Sequence, residues 1–262
     1  MITKFTYIKG PKPNKSIIGG SVVDHKRQVA GSFVSFEDPI LVDPVLENND
    51  WSLIKEVCVA GEAANYWAVG DTKKVVGGDT YERNVAIVDM TGLYGKEVVF
   101  QFMDLTDTAY AIDADNFNGY SASDMNVTYL AAGGAIRTEI LTDELASELT
   151  DTTVKVAKNG NNSNLVEVTN KLFLPAEREL WTTRTYSIPT EFDALSTFEY
   201  WQTNTSNADH VLKSPGDNTA HGWWTRSPYS GDTHRVCLVN VDGSAIYGIA
   251  NYTTQVAPCF SF

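Results

Sequence analysis

The chain has 262 residues and an apolar fraction of 43%, enough to bury one large core or two modest ones at the usual domain size of about 50 to 250 residues. Its formal charge of −13, with no Lys/Arg run to offset it, argues against a nucleic-acid partner, because phosphate binding needs a basic surface. Tyr, Phe and Trp make up 11% of the chain and long helical periodicity is scarce, which favours a β-rich or mixed protein over a helical bundle.

Residues 1–50 hold four of the nine prolines (Pro11, Pro13, Pro39 and Pro44), a Gly19-Gly20 pair and short β-prone pieces such as Ser32–Phe36. Proline and glycine at this density prevent long regular elements. Two readings fit: an extra strand layer on the main domain, or an extended docking or oligomerisation arm. The opening MITKFTYIKG has no apolar core segment followed by a small-residue cleavage site, and no stretch is long enough to span a bilayer. The expectation is a chain without a signal peptide, made in the cytoplasm and not inserted in a membrane. If it acts outside the cell, it leaves by a route such as release of a phage particle.

From Asn49 onward the pattern is more regular. Asp50 is placed to cap a helix whose apolar positions Trp51, Ile54, Val57 and Cys58 follow helical spacing, with Gly61 near its end. Strands are predicted at Val85–Val88, Val98–Met103 and Thr108–Ile112. A second helix is predicted to start near Ser121 or Ser123, and a short one to run over 143–149 after Thr142. Asn159–Asn164 reads as a polar loop between strands. Lys171–Leu174 reads as a buried strand leading into a helix at Pro175. The aromatic-rich Phe192–Trp201 is expected to pack under the C-terminal sheet.

The C-terminal segment carries the most information. After Gly222-Trp223-Trp224-Thr225-Arg226-Ser227-Pro228 comes a polar run, Tyr229–His234, then a strand over 235–241. Asp242-Gly243 marks a tight turn, Ser244–Ile249 returns as the partner strand, and a second polar patch, Ala250–Thr254, leads into a last strand, Val256–Phe262. Short strands with exposed connecting loops on a rigid base are a common way to present a binding surface.

Catalytic signals are missing by comparison. There is no Gly-x-Ser-x-Gly elbow and no phosphate-cradling glycine loop. His25, His210, His221 and His234 lack the spacing of a helical zinc pair, and three of them fall in polar stretches where a solvated surface histidine is the expectation. Cys58, Cys237 and Cys259 are too few and too dispersed for a disulfide framework or a zinc site. Cys237 and Cys259 could meet if their strands pair, but small buried thiols are the better reading. The run from Asp113 to Gly119 resembles a calcium loop whose register fails: with Gly119 at the sixth position, the first is Ala114. It reads as a solvated turn, with a surface calcium on Asp113, Asp115 and Asn118 as the alternative. No metal and no cofactor is expected.

From Ser227 to Phe262 there is no Lys, Glu, Met or Trp. Strand-rich segments do lose Lys and Glu, which is one explanation. Randomised adenines in AAC-type codons are another, since they never produce Lys, Glu, Met, Trp or Gln. The stretches Tyr229–Arg235 and Ile246–Thr254 use only the residues such codons allow. Gln255 falls outside that set and would be a fixed position.

Trp223-Trp224-Thr225-Arg226-Ser227-Pro228 resembles the W-W-x-R-S-P signature of a family with a C-type-lectin-like (formylglycine-generating-enzyme-like) fold. Val256-Ala257-Pro258-Cys259-Phe260 is similar to that family's closing G-V-R-P-A-F or G-V-A-P-C-F, with Gln255 in place of the usual glycine. Trp51 together with Tyr66-Trp67-Ala68-Val69-Gly70-Asp71 resembles its W-x-x-I…Y-W-x-V-G-D start, and Phe173-Leu174-Pro175-Ala176-Glu177 loosely matches its F-L-L-S-x-x-E segment. The resemblance spans about residues 50–262. Members occur in gut bacteria and their phages, and several resemble the variable proteins of diversity-generating retroelements, whose C-terminal lectin-fold surface is mutated to change ligand.

The resemblance implies an α+β, C-type-lectin-like domain over 51–262, with mixed short sheets and a few helices; the proline- and glycine-rich composition of residues 1–50 places a β-rich N-terminal arm ahead of it. It implies that Trp223, Trp224, Arg226 and Pro228 are scaffold, and that Tyr229, Ser230, Asp232, Thr233, His234, Tyr247, Ile249, Asn251 and Tyr252 form the binding face. Tyrosine with small polar residues is the composition of adaptable paratopes; ordinary exposed strand residues would look the same. The leading expectation is a binding protein and not an enzyme: a phage virion protein at a tail or fibre tip that recognises a bacterial surface protein or glycan. Residues 1–50 would contact other virion proteins or hold a homo-oligomer, most simply a trimer. A bacterial lectin-like adhesin and an oxidase of the formylglycine-generating type, using Cys237 and Cys259, are the alternatives.

Overall fold

The computed structural model describes residues 41–115 and 117–262. Residues 45–262 form one compact unit. The readings placed on the first forty residues, including the strand-prone Ser32–Phe36, the attachment arm and His25, lie outside the described residues. A short 3-10 turn, Leu46–Asn48, opens the unit. The backbone carbonyl and side chain of Glu47 accept Lys73 Nζ and the Lys74 N–H, so this turn is tied to the first strand and the unit starts ahead of Trp51.

Helix α1 (Trp51–Val59) buries Trp51, Ile54, Val57 and Cys58, as the spacing predicts, and Gly61 follows it with φ +73°. Asp50 occupies the N-cap position but makes no side-chain cap bond. The Trp51 N–H donates instead to Glu144 Oε1 at 2.8 Å, so a distant acidic residue takes over the cap. Strands β1 (Thr72–Val76), β2 (Glu82–Asp89), β3 (Val99–Phe102) and β4 (Tyr110–Ala111) come next. The strand expected over 108–112 shrinks to two residues because Glu139 accepts the backbone N–H groups of Asp107 and Thr108, removing them from any ladder.

No regular helix starts at Ser121 or Ser123. A 3-10 turn (Tyr120–Ala122) and a π turn (Met125–Tyr129) stand there. The Ser123 hydroxyl donates to the Tyr120 carbonyl and the Asn126 amide to the Ser121 carbonyl, side-chain bonds that compete with helix formation. Helix α2 (Ala135–Ile140) and helix α3 (Asp143–Glu148) follow. Thr142 caps α3 by accepting the Leu145 N–H at 3.0 Å.

Strands β5 (Thr152–Asn159) and β6 (Asn162–Asn170) form a hairpin. The loop expected over 159–164 contracts to the turn at Gly160-Asn161. Within 171–174, Phe173 makes a single bridge to Cys259. Helix α4 (Glu177–Leu180) begins after Pro175 and not at it, because the Pro175 carbonyl accepts the Arg226 N–H at 2.9 Å and is thereby committed to a strand. The aromatic segment divides between helix α5 (Pro189–Asp193), which lies on the β5–β6 hairpin, and helix α6 (Glu199–Thr203), which lies on β2. Trp201 Nε1 donates to Gln101 Oε1 of β3 at 3.0 Å. The segment therefore packs mainly beneath those elements and not beneath the strands that follow.

Those strands are β7 (Trp223–Pro228), β8 (Arg235–Val239), β9 (Ala245–Ile249), β10 (Thr253–Thr254) and β11 (Cys259–Ser261). Among the described residues all pairings between strands are antiparallel, in the orders β1-β2-β3-β11, β4-β10, β5-β6 and β7-β8-β9. This is a mixed α/β architecture of short antiparallel sheets and a few helices. The main aromatic core joins both ends of the unit. Phe100 stacks on Phe260 at 5.0 Å, and Trp51 meets Phe100, Phe260 and Phe262 edge-on. Among the described residues no helix is long and apolar enough to cross a membrane.

Candidate functional site

The base of the site is β7, all six of whose residues are buried. Each large polar atom on it has an assigned partner. Trp223 Nε1 donates to the His210 carbonyl at 3.2 Å, Trp224 Nε1 to the Tyr110 carbonyl at 2.9 Å, and Thr225 Oγ1 to the Cys237 carbonyl at 2.7 Å. Arg226 donates through Nη1 to the Leu174 carbonyl at 2.7 Å and through both terminal nitrogens to the Glu179 carboxylate. Ser227 Oγ accepts the Glu177 N–H at 2.9 Å. Buried polar groups with this degree of satisfaction hold one conformation.

Two loops rise from this base. The first, over 229–234, is closed by the Tyr229 N–H donating to the Arg235 carbonyl at 3.0 Å, and is tied sideways by the Ser230 N–H donating to the Tyr186 carbonyl at 2.9 Å. The second, over 250–252, joins it where the Ala250 N–H donates to the His234 carbonyl at 2.9 Å. The hairpin tip closes in from the other side. A Cβ on Gly160 would lie 2.0 Å from the Asp232 carbonyl oxygen and 2.4 Å from that of Tyr229, so only glycine fits at that approach.

The expected face residues fall into two groups. Tyr229 and Tyr247 stack at 4.1 Å with an interplanar angle of 15°, and Tyr186 meets both edge-on at 6.1 and 5.0 Å. Arg235 places its guanidinium 5.2 Å from the centre of the Tyr247 ring. Asp232 accepts the His234 N–H at 2.7 Å and pairs with Arg235 Nε at 3.4 Å. Ser230 and His234 are exposed and Thr233 is half-buried. Ile249 pairs across the strands with Arg235. Asn251 and Tyr252 stand apart on the second loop, exposed, with Tyr252 at 62%. Tyr252 takes no part in the tyrosine contacts.

Three contributors stand outside the expected face residues, and of these only Arg235 carries a signal in the local sequence, as the last residue of the stretch Tyr229–Arg235. Tyr186 lies outside the C-terminal segment and comes in through an isolated bridge between Ser187 and Tyr229. Arg235 lies at a strand start. Glu177 is fully buried, and its carboxylate accepts the backbone N–H groups of Thr185, Tyr186 and Ser187, which fixes the turn that presents Tyr186.

Burial favours the neutral form of several groups below the surface. Burial raises the Glu191 carboxyl to about 7, against a bond from the Ala157 N–H that favours its charged form. Burial, reinforced by the Glu177 and Glu191 carboxylates, pushes the Cys237 thiol well above its usual value, and burial does the same at Cys259. All three cysteines are free and buried. Of the four histidines, three of which were expected to be solvated, His210 is wholly buried: its ring lies between Trp181 at 4.7 Å and Trp201 at 4.5 Å.

Among the described residues no group of three or more His, Cys, Asp or Glu could hold a metal ion. In the loop from Asp113, Asp113 Oδ1 accepts the Asp115 N–H and Asp124 Oδ2 accepts the Ala114 N–H, so both carboxylates serve the turn.

Fold and site together define a mixed α/β domain in which two short loops stand on a rigid, fully bonded strand. Residues 96–262 match the family described as Domain of unknown function (DUF6273), and the chain belongs to that family. No curated protein and no solved structure matches the chain.

Proposed function

We propose that this is a ligand-binding protein and not an enzyme, built on a C-type-lectin-like fold. In this reading it is a receptor-binding protein of a phage tail or fibre tip, with a diversified C-terminal surface that recognises a bacterial surface protein or glycan. The observation that carries the reading is the contrast between β7 and what stands on it. Trp223 to Pro228 are buried and bonded, whereas Tyr229, Tyr247, Tyr186 and Arg235 form a half-exposed aromatic cluster beside the exposed Ser230, His234, Asn251 and Tyr252. Tyrosine supplies contact area at low entropic cost, and small polar neighbours supply adaptable hydrogen bonds. The burial of all three cysteines, with the Cys237 and Cys259 thiols pushed up, speaks against reactive-thiol chemistry.

The test is labelling of a panel of gut bacterial strains with fluorescent protein. The wild type is expected to label at least one strain, and the folded Tyr247→Ala, Tyr252→Ala double variant none. Equal labelling by the variant overturns the site assignment. The flanking DNA is an independent check. A near-copy of the last coding stretch, differing at adenines in the codons for Tyr229–Arg235 and Ile246–Thr254, is expected beside a reverse transcriptase and tail genes. Their absence removes the diversified and virion parts of the proposal.

A further inference from the structure

Beside the tyrosine cluster lies a separate cleft of about 380 Å³, lined by Trp181, Thr183, Thr205, Asn207 and Ser244 among others. Its volume falls in the range of small-ligand sites, roughly 300 to 1,000 Å³. Three features bear on what it would hold.

The first is a stiff aromatic wall. Trp181 stacks on His210 at an interplanar angle of 14°, and Trp201 stacks on the opposite side of the same ring at 17°. The His210 nitrogens lie 3.1 Å from the Ser206 carbonyl oxygen and 3.0 Å from that of Leu180. The imidazole is thus locked in its plane, and Trp181 is braced from behind.

The second is a set of uncommitted hydrogen-bonding groups. Thr182, Thr183, Thr185, Thr205 and Asn207 line the cleft, and their side-chain hydroxyls and amide make no hydrogen bond to other described residues. The third is charge: none of the described residues lining the cleft is acidic or basic, although the chain carries 33 acidic and 20 basic residues. A charged ligand would find no counter-charge there.

We infer that this cleft binds a neutral, hydroxyl-rich ligand, a saccharide unit seated against Trp181 and hydrogen-bonded by the threonines and Asn207. An aromatic face covers the apolar C–H face of a sugar ring, and hydroxyl and amide groups answer its hydroxyls without the desolvation penalty of a charge. The cleft shares its supporting elements with the tyrosine cluster. Thr185 lines the cleft while Tyr186 joins the cluster, and Ala245 of β9 lines it two residues before Tyr247. The inference does not depend on diversification of the loops.

Saturation-transfer NMR on the full chain tests it, with the methyl glycosides of glucose, galactose, mannose, rhamnose, N-acetylglucosamine and N-acetylgalactosamine as probes. At least one probe is expected to give saturable transfer. That transfer should vanish in Thr205→Trp and in Thr183→Trp, two exposed positions where a large side chain fills the cleft from different segments. It should persist in the Tyr247→Ala, Tyr252→Ala variant. Absence of saturable transfer from all six probes overturns the inference. So does transfer that survives both filling variants, or transfer lost only in the tyrosine variant, which would place the sugar on the loops. Loss of strain labelling in the tyrosine variant with the sugar signal intact separates this site from the proposed loop surface.

Discussion

Arg226 and Glu179 meet as a two-pronged ion pair closed off from water: Nη1 to Oε2 is 2.6 Å, Nη2 to Oε1 is 2.5 Å, and both side chains are fully buried. Glu179 also accepts the Tyr94 hydroxyl and the Ala176 N–H, so neither carboxylate oxygen is left bare. Removing one partner strands a buried charge, which costs about 3–5 kcal/mol. Arg226→Leu and Glu179→Leu are each expected to lose that much in urea denaturation. The Arg226→Leu, Glu179→Leu double variant should lose clearly less than the sum of the two single changes, since two neutral groups replace two charges.

Glu191 should make stability fall with rising pH. Burial lifts its carboxyl from 4.5 to about 7 in the folded protein. A folded-state value above the unfolded one means the bound proton favours folding. That contribution is complete below about pH 4.5 and is lost as pH rises through 7. The difference amounts to roughly 3 kcal/mol at 1.36 kcal/mol for each unit. Denaturation midpoints measured from pH 5 to pH 8 should fall for the wild type and fall less for Glu191→Gln. Parallel slopes would show that Glu191 is not the titrating group.

Tyr247 and Tyr252 should separate in stability although both belong to the proposed surface. Tyr247 stacks on Tyr229 and lies beneath Arg235, contacts worth about 1 kcal/mol beyond area burial. Tyr252 is 62% exposed, and its truncation should stay within about 0.5 kcal/mol. Calorimetric melting of the two single alanine variants reads the difference directly.

Glu177→Gln should loosen one turn and leave the rest of the unit intact. The carboxylate accepts three successive backbone N–H groups, at Thr185, Tyr186 and Ser187. The amide that replaces it has one acceptor oxygen. A loss of about 2 kcal/mol is expected from unsatisfied buried donors, with faster hydrogen exchange confined to those three amides. Unchanged exchange there would show that the turn is held by other contacts.

Much of the scaffold was legible in the sequence because its signals are local. The spacing of Trp51, Ile54, Val57 and Cys58 marks a helix, Thr142 marks a cap, and Asp242-Gly243 marks a turn, seen as Gly243 donating to the Asn240 carbonyl with φ +79°. The misreadings arose where a distant group captured a local one. Glu144 caps the helix that Asp50 was expected to cap, Arg226 claims the carbonyl of Pro175, and Glu139 takes the N–H groups of Asp107 and Thr108. The site divides in the same way. Tyr229 and Tyr247 stand in one continuous segment, but Tyr186 reaches them from 43 and 61 residues away in the chain, and no periodicity links such positions. Two tryptophans fold over the ring of His210 from 29 and 9 residues away in the chain, a contact that no local pattern marks.

The loops over 229–234 and 250–252 are positioned by main-chain bonds: Tyr229 to Arg235, Ser230 to Tyr186, Ala250 to His234. Such bonds are indifferent to side-chain identity and are lost only to proline at the donor. The path of the backbone can therefore be inherited while Ser230, His234, Asn251 and Tyr252 are exchanged, without a prior gain of stability to absorb each change. Constraint concentrates on Tyr229, Asp232 and Tyr247, whose side chains hold one another or a neighbouring amide. A lineage descending from this chain should change singly at the first four positions, and at the last three in step with the side chain or amide that each one holds.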